Sequence, residues 1–211
     1  IARLVGSEMC IRDSYYIVFP ENKFFTLILD ANQVFTMETK KGDLVASMNV
    51  KGSLDNQLYY QNQQFETDFN ERFKKVEKDL KAAEKGTDAH GQLKKQRDDM
   101  LDEREAHIQH FQAKYPHSFF TQFQIAGQNP KLKKPKKPNG DLDTALQVYH
   151  YRKEYWDNVD LNDGRLLRTP VFHNKMENYI TKITPQTADS VVKYADWLSR
   201  AVMKNKELFK Y

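Results

Sequence analysis

Residues 53–83 read SLDNQLYYQNQQFETDFNERFKKVEKDLKAA. Within them Phe65, Phe69, Phe73, Val76, Leu80 and Ala83 recur at intervals of three and four. That period gathers them on one stripe of an α-helix. Ser53 stands as its N-cap, with Asn56 where a capping box would carry Glu or Gln. Gly86-Thr87-Asp88 interrupts the pattern. A second stripe, Leu93, Met100, Leu101, Ile108, Phe111 and Tyr115, then runs to Pro116, which marks the end of a helix. Two helices about a short turn predict an antiparallel hairpin. Roughly 30 residues at 1.5 Å each make it about 45 Å long.

Upstream the period is two. Tyr15–Phe19 is aromatic and β-branched, and Pro20-Glu21-Asn22 turns it. Phe24–Leu29 follows, stopped at Asp30-Ala31-Asn32. Val34–Thr39 alternates apolar and polar, Lys40–Asp43 is a turn, and Leu44–Val50 reads as a fourth strand. Some 36 residues of antiparallel meander bury little by themselves. Residues 15–52 are therefore expected to be the last strands of a larger, sandwich-like β domain. Residues 53–211 form a helical domain, and the fold class is α+β, mainly α.

Downstream, Ser118 caps a short apolar helix over Phe119–Ala126. Residues 128–140 form a loop, and helices are expected from Asp141 to Trp156 and, opened by Thr169-Pro170, to Lys182. Thr184-Pro185 repeats that opening signal for a helix over 186–203.

The 211 residues carry a net charge of +4 and one cysteine. One cysteine excludes an internal disulfide, a CxxC redox pair and a thiolate zinc site. Lys131, Lys133, Lys134, Lys136 and Lys137 supply five positive charges from one loop. The rest of the chain holds 28 basic against 29 acidic side chains. A nucleic-acid binder spreads its charge over a face with interleaved aromatics. Here Pro130, Pro135 and Pro138 interleave instead, so the cluster reads as a solvated loop and no nucleic-acid partner is expected. No run is long and apolar enough to span a bilayer. No G-x-S-x-G, Walker A, G-x-G-x-x-G or H-E-x-x-H motif occurs. Glu103, His107 and His110 share one helix, as do His150 and Glu154, but neither set meets a second acidic helix of matching spacing. Both read as surface histidines, and no metal or other cofactor is expected. Tyr149, Tyr151, Tyr155 and Trp156 read as packing aromatics.

The densest constellation is Tyr155–Pro170, where Asp157, Asp160 and Asp163 precede Arg165, Arg168, Thr169 and Pro170. Guanidinium forks can pin such a loop through carboxylates or helix carbonyls. The alternative is an anion or partner site at Arg165 and Arg168. Asp160, Asp163, Arg165, Arg168, Thr169 and Pro170 are accordingly the candidate structural or docking residues. No catalytic residue is assigned.

This stretch, continued by Phe172, Lys175 and Tyr179 and preceded by Lys51-Gly52-Ser53 and Asn56-Gln57, resembles a helical domain of unknown function from Gram-negative envelope proteins. In that family a β domain comes first, then the helical domain, then a thioredoxin-like domain of the TlpA/ResA thiol-disulfide type. The resemblance implies a periplasmic or outer-membrane-anchored parent, exported by a signal or lipoprotein signal, with protein partners or substrate proteins. The family's redox chemistry belongs to a CxxC beyond the helical domain. From residue 15 onward this chain has no cysteine, so no catalytic residue carries over. The chain is thus expected to be a non-catalytic accessory region that positions the redox domain or docks partners. The alternative is a stand-alone periplasmic binding module.

Residues 1–14 show neither alternation nor a helical stripe. Leu4–Ser14, LVGSEMCIRDS, resembles one reading frame of a transposon-type sequencing adapter. On that reading Cys10 is not native and the protein's own N-terminus, with any signal or lipid anchor, is missing.

Overall fold

In a computed structural model, residues 3–5, 13–29 and 34–203 are described. The chain divides into two compact units, residues 1–121 and 122–211. The change of period at 52/53 lies inside the first unit. The hairpin shares a unit with the strands, because α1 supplies side chains that complete them.

Strands β1 (Arg3–Val5), β2 (Asp13–Val18) and β3 (Phe24–Leu29) form an antiparallel sheet in that order. β1 pairs Arg3 with Val18 and Val5 with Tyr16. Regular structure therefore begins earlier than the patternless sequence of residues 1–14 predicts: backbone pairing along the edge of β2 needs no side-chain alternation. Cys10 and the turn predicted at 30–32 lie outside the described residues. β4 (Thr36–Glu38) and β5 (Asn49–Lys51) form a second antiparallel pair.

The strand expected over Leu44–Val50 shrinks to its last residues, and 44–47 are a turn. Asp43 is the reason. Its carboxylate accepts from the Ala46 N–H at 3.0 Å, its carbonyl accepts from the Ser47 hydroxyl, and Met48 N–H donates to Val45 O at 3.2 Å. A side chain that closes its own turn outcompetes the ladder. Gly52 leads into the helix at φ +89°, where a Cβ would stand 3.1 Å from the Val34 carbonyl, so this position requires glycine.

Helix α1 (Leu54–Ala82) starts at Ser53, whose hydroxyl accepts from the Asn56 N–H. Its first turns are polar residues that reach the strands. Asn56 bonds both backbone groups of Ile28, Gln57 donates to Val50 O at 3.0 Å, and the Tyr60 hydroxyl donates to Thr26 O at 2.7 Å. Beneath them Phe25, Met48, Val50 and Tyr60 form a buried cluster. Burial pushes the Tyr60 phenol pKa far up.

Helix α2 (Asp88–Lys114) is capped by Thr87 and returns along α1. Phe69, Val76 and Met100 are buried between them, with Phe65 and Phe73 partly so. Leu101, expected inward, is 44% exposed. The facing stripe is Leu93, Met100, Arg104, His107 and Phe111, and Leu101 lies about 100° round the helix from Met100. Two polar residues hid that stripe. The Arg104 guanidinium lies over the Phe69 ring at 5.4 Å, and His107 stacks on Phe65 with centroids 3.8 Å apart. His107 is therefore not a surface histidine. Across the outer face Arg72 joins Asp68 and Glu103. Residues 77–99 hold no fully buried side chain.

Helix α3 (Phe119–Ala126) begins where Ser118 caps it. The Ser118 hydroxyl accepts from the Thr121 N–H and donates to Asp55 at 2.7 Å.

In the second unit, α4 (Thr144–Glu154) is capped by Asp143. α5 (Pro170–Asn178) runs into a π-helical turn over Tyr179–Ile183, and α6 (Ala188–Val202) follows. The helix expected through Lys182 thus widens in its last turn. The cap of α6 is Thr187, not Thr184. The Thr184 N–H closes the π turn on Tyr179 O at 2.9 Å, whereas the Thr187 hydroxyl accepts from the Ser190 N–H in the first turn of α6. The fold is α+β and mainly α, with two small antiparallel sheets and a long helical hairpin. No helix among the described residues is long and apolar enough to cross a membrane.

Candidate functional site

The segment from Tyr155 to Pro170 folds as a run of turns ending in a 3-10 helix over Gly164–Arg168. Asp160 is exposed, and its Oδ1 accepts from the Asn162 N–H at 2.9 Å. Asp163 caps the 3-10 helix. Its carboxylate takes the Arg165 N–H at 3.0 Å and the same residue's guanidinium at 2.7–3.1 Å. Burial raises the Asp163 pKa, but the Arg165 side chain and backbone outweigh it and hold the carboxyl below its ordinary value. Thr169 is buried and its hydroxyl donates to Leu166 O at 2.6 Å. Pro170 occupies the first turn of α5. The Arg168 side chain lies outside the described residues.

This local chemistry places apolar side chains inward. Leu166 is 1% exposed, and Val159 and Phe172 are buried. Tyr155 stacks on Tyr179 at 5.5 Å, and Trp156 meets both Phe172 and Tyr179. Tyr155 and Trp156 are packing aromatics, as their spacing suggests. Tyr149 is 55% exposed.

Within that aromatic core sits a cation. Lys175 follows Phe172 by three residues and precedes Tyr179 by four, so it occupies the apolar stripe of α5. It is 4% exposed. Its Nζ donates to Gln128 O at 2.9 Å and to Tyr155 O at 3.1 Å, and stands 4.3 Å from the centre of the Tyr155 ring. Tyr155 is the C-cap of α4, the end of a helix that favours positive charge. Among the described residues no carboxylate pairs with Lys175. Burial alone pushes its pKa down to about 8.

Comparison with protein-family models, curated proteins and solved structures found no match. The site is therefore argued from its own geometry.

Lys175 lines a cavity of about 440 Å³ in the second unit. Lys182 also lines it and is exposed. Val171, Ile183 and the rings of Tyr151 and Tyr155 supply apolar wall. Pocket volumes of this order hold small organic molecules. Of the sequence-derived site residues, none is among those lining the cavity. Lys175, which does line it, belongs to the resembling stretch, and a lysine at a core position of an apolar stripe is itself a signal. The histidine sets lack metal geometry: no group of three or more His, Cys, Asp or Glu side chains that could hold an ion occurs among the described residues.

Proposed function

We propose that this chain is a non-catalytic region of an envelope protein of the thioredoxin-like, TlpA/ResA-type family. It serves as a scaffold that positions a redox domain or docks protein partners in the periplasm or at an outer-membrane anchor. One observation supports this reading. The stretch that carries the resemblance, Tyr155–Pro170 with Phe172, Lys175 and Tyr179, builds a packed core and a close Asp163–Arg165 ion pair. A motif of that kind preserves a shape rather than a reacting group. The native gene tests it. A CxxC within a βαβ pattern in the reading frame after Tyr211 is the expected result. A frame without one overturns the redox parent. In the full-length protein, deletion of residues 122–203 is expected to spare reduction of a small disulfide and impair reduction of a protein substrate.

A second reading, a periplasmic binding module, draws on the cavity beside Lys175. A native stop codon directly after Tyr211 would favour it.

A further inference from the structure

The cavity beside α5 has an unbalanced lining. Lys175 and Lys182 are cationic, and Asn129, Asn174 and Asn178 bring three amides. No carboxylate lines it among the described residues. An ammonium has three protons. Two of Lys175's go to the carbonyls of Gln128 and Tyr155, and the third has no acceptor among the described residues. Burying a cation without an anion is costly. The carbonyls and the Tyr155 face reduce that cost, yet neutralisation is left to something that enters the cavity.

We propose that the cavity binds a small organic carboxylate. Its carboxylate group meets Lys175 and the asparagine amides, and its apolar body lies against Tyr151, Val171 and Ile183. One enclosed ammonium balances one negative charge. A phosphate dianion would need a second enclosed cation, whereas Lys182 stands exposed. The amides donate to the remaining carboxylate lone pairs. The apolar wall selects against a bare ion. This site stands whether or not the chain belongs to a thioredoxin-like parent.

Calorimetry with phenylacetate, its neutral isostere phenylacetamide, acetate and inorganic phosphate tests the proposal at pH 7. Phenylacetate is expected to bind at least tenfold tighter than each of the other three. NMR is expected to show shifts in the side-chain amides of Asn129, Asn174 and Asn178. Lys182→Gln should weaken phenylacetate several-fold with unchanged melting temperature, and Lys175→Met should abolish binding. Should Lys175→Met fail to fold, the amide shifts and the isostere comparison decide alone. Equal binding of phenylacetate and phenylacetamide, preference for phosphate, absence of binding, or shifts elsewhere would each overturn it.

Discussion

The side chain of Asn56 pairs with the backbone of Ile28 as a neighbouring strand would. Its Nδ2 donates to Ile28 O at 2.7 Å, and its Oδ1 accepts from Ile28 N–H at 2.8 Å. Asn56 is fully buried. Asn56→Leu keeps the branching at Cγ, adds some bulk and leaves two backbone groups without partners. It is expected to destabilise the first unit by roughly 2–4 kcal/mol, measured by urea unfolding. Asn56→Asp, which loses the donor, should be no better. A change below about 0.5 kcal/mol in both would mean that water replaces the bridge.

The Lys175 ammonium ties stability to alkaline pH. The unfolded chain holds its proton to about 10.5, whereas the folded chain releases it near 8. Between those values the unfolded state binds more protons, so stability rises with pH. Relative to Lys175→Met, the protein should gain about 2 kcal/mol from pH 8 to 10. Above pH 10 Tyr179 opposes this. Burial, aided by Tyr194 and offset by Arg152, pushes its phenol up to about 12, so the folded state then keeps the extra proton. Parallel pH profiles for protein and variant would refute the assignment.

Arg165→Ala separates structure from docking. Asp163 carries a depressed pKa, so its contribution is present above the unfolded value of 3.8 and is lost as pH falls through the folded one. Removing Arg165 leaves a half-buried carboxylate without its fork. The expected loss is about 1–3 kcal/mol at neutral pH, with the acid limb of unfolding moved upward. An unchanged melting temperature would return Arg165 to the candidate docking residues.

His107 gives the hairpin an acid-sensitive joint. Its Nε2 is buried without a hydrogen-bond partner. Burial lowers its pKa, with His110 acting the same way and Glu66 and Glu103 opposing. The unfolded chain then binds the proton first, and stability falls as pH drops from 6.5 through the folded value. His107→Phe should flatten that part of the profile, as read by thermal melts between pH 7 and 5.

The helical hairpin was legible because Phe65, Phe69, Phe73 and Val76 repeat without exception, and Ser53, Thr87 and Ser118 stop and start helices by side-chain chemistry that acts locally. What misled was polar. Arg104 and His107 occupy the facing stripe through their apolar bodies, so composition hid them and promoted Leu101. Leu44–Val50 has strand composition but yields to the turn that Asp43 closes. Thr184 precedes a proline just as Thr169 does, yet a π turn consumes its N–H. Lys175 is marked by its place on the apolar stripe, but its partners are not: they are the carbonyls of Gln128 and Tyr155, 47 and 20 residues away. No side-chain pattern announces a backbone acceptor at that separation.

Past Val76 and Met100 the hairpin continues to Gly86 with no fully buried side chain, and a Cβ at Gly86 would meet nothing within 4 Å. The Thr87 cap and half-buried side chains such as Leu80 and Leu93 hold this outer stretch. Its amides should exchange with deuterium well before those around Phe69. The tip is therefore held without a core of its own, and a flexible tag of ten residues spliced in at Gly86 should leave the main melting transition where it was. The molecule thus comes with a built-in handle for a fluorophore, an affinity label or a grafted domain.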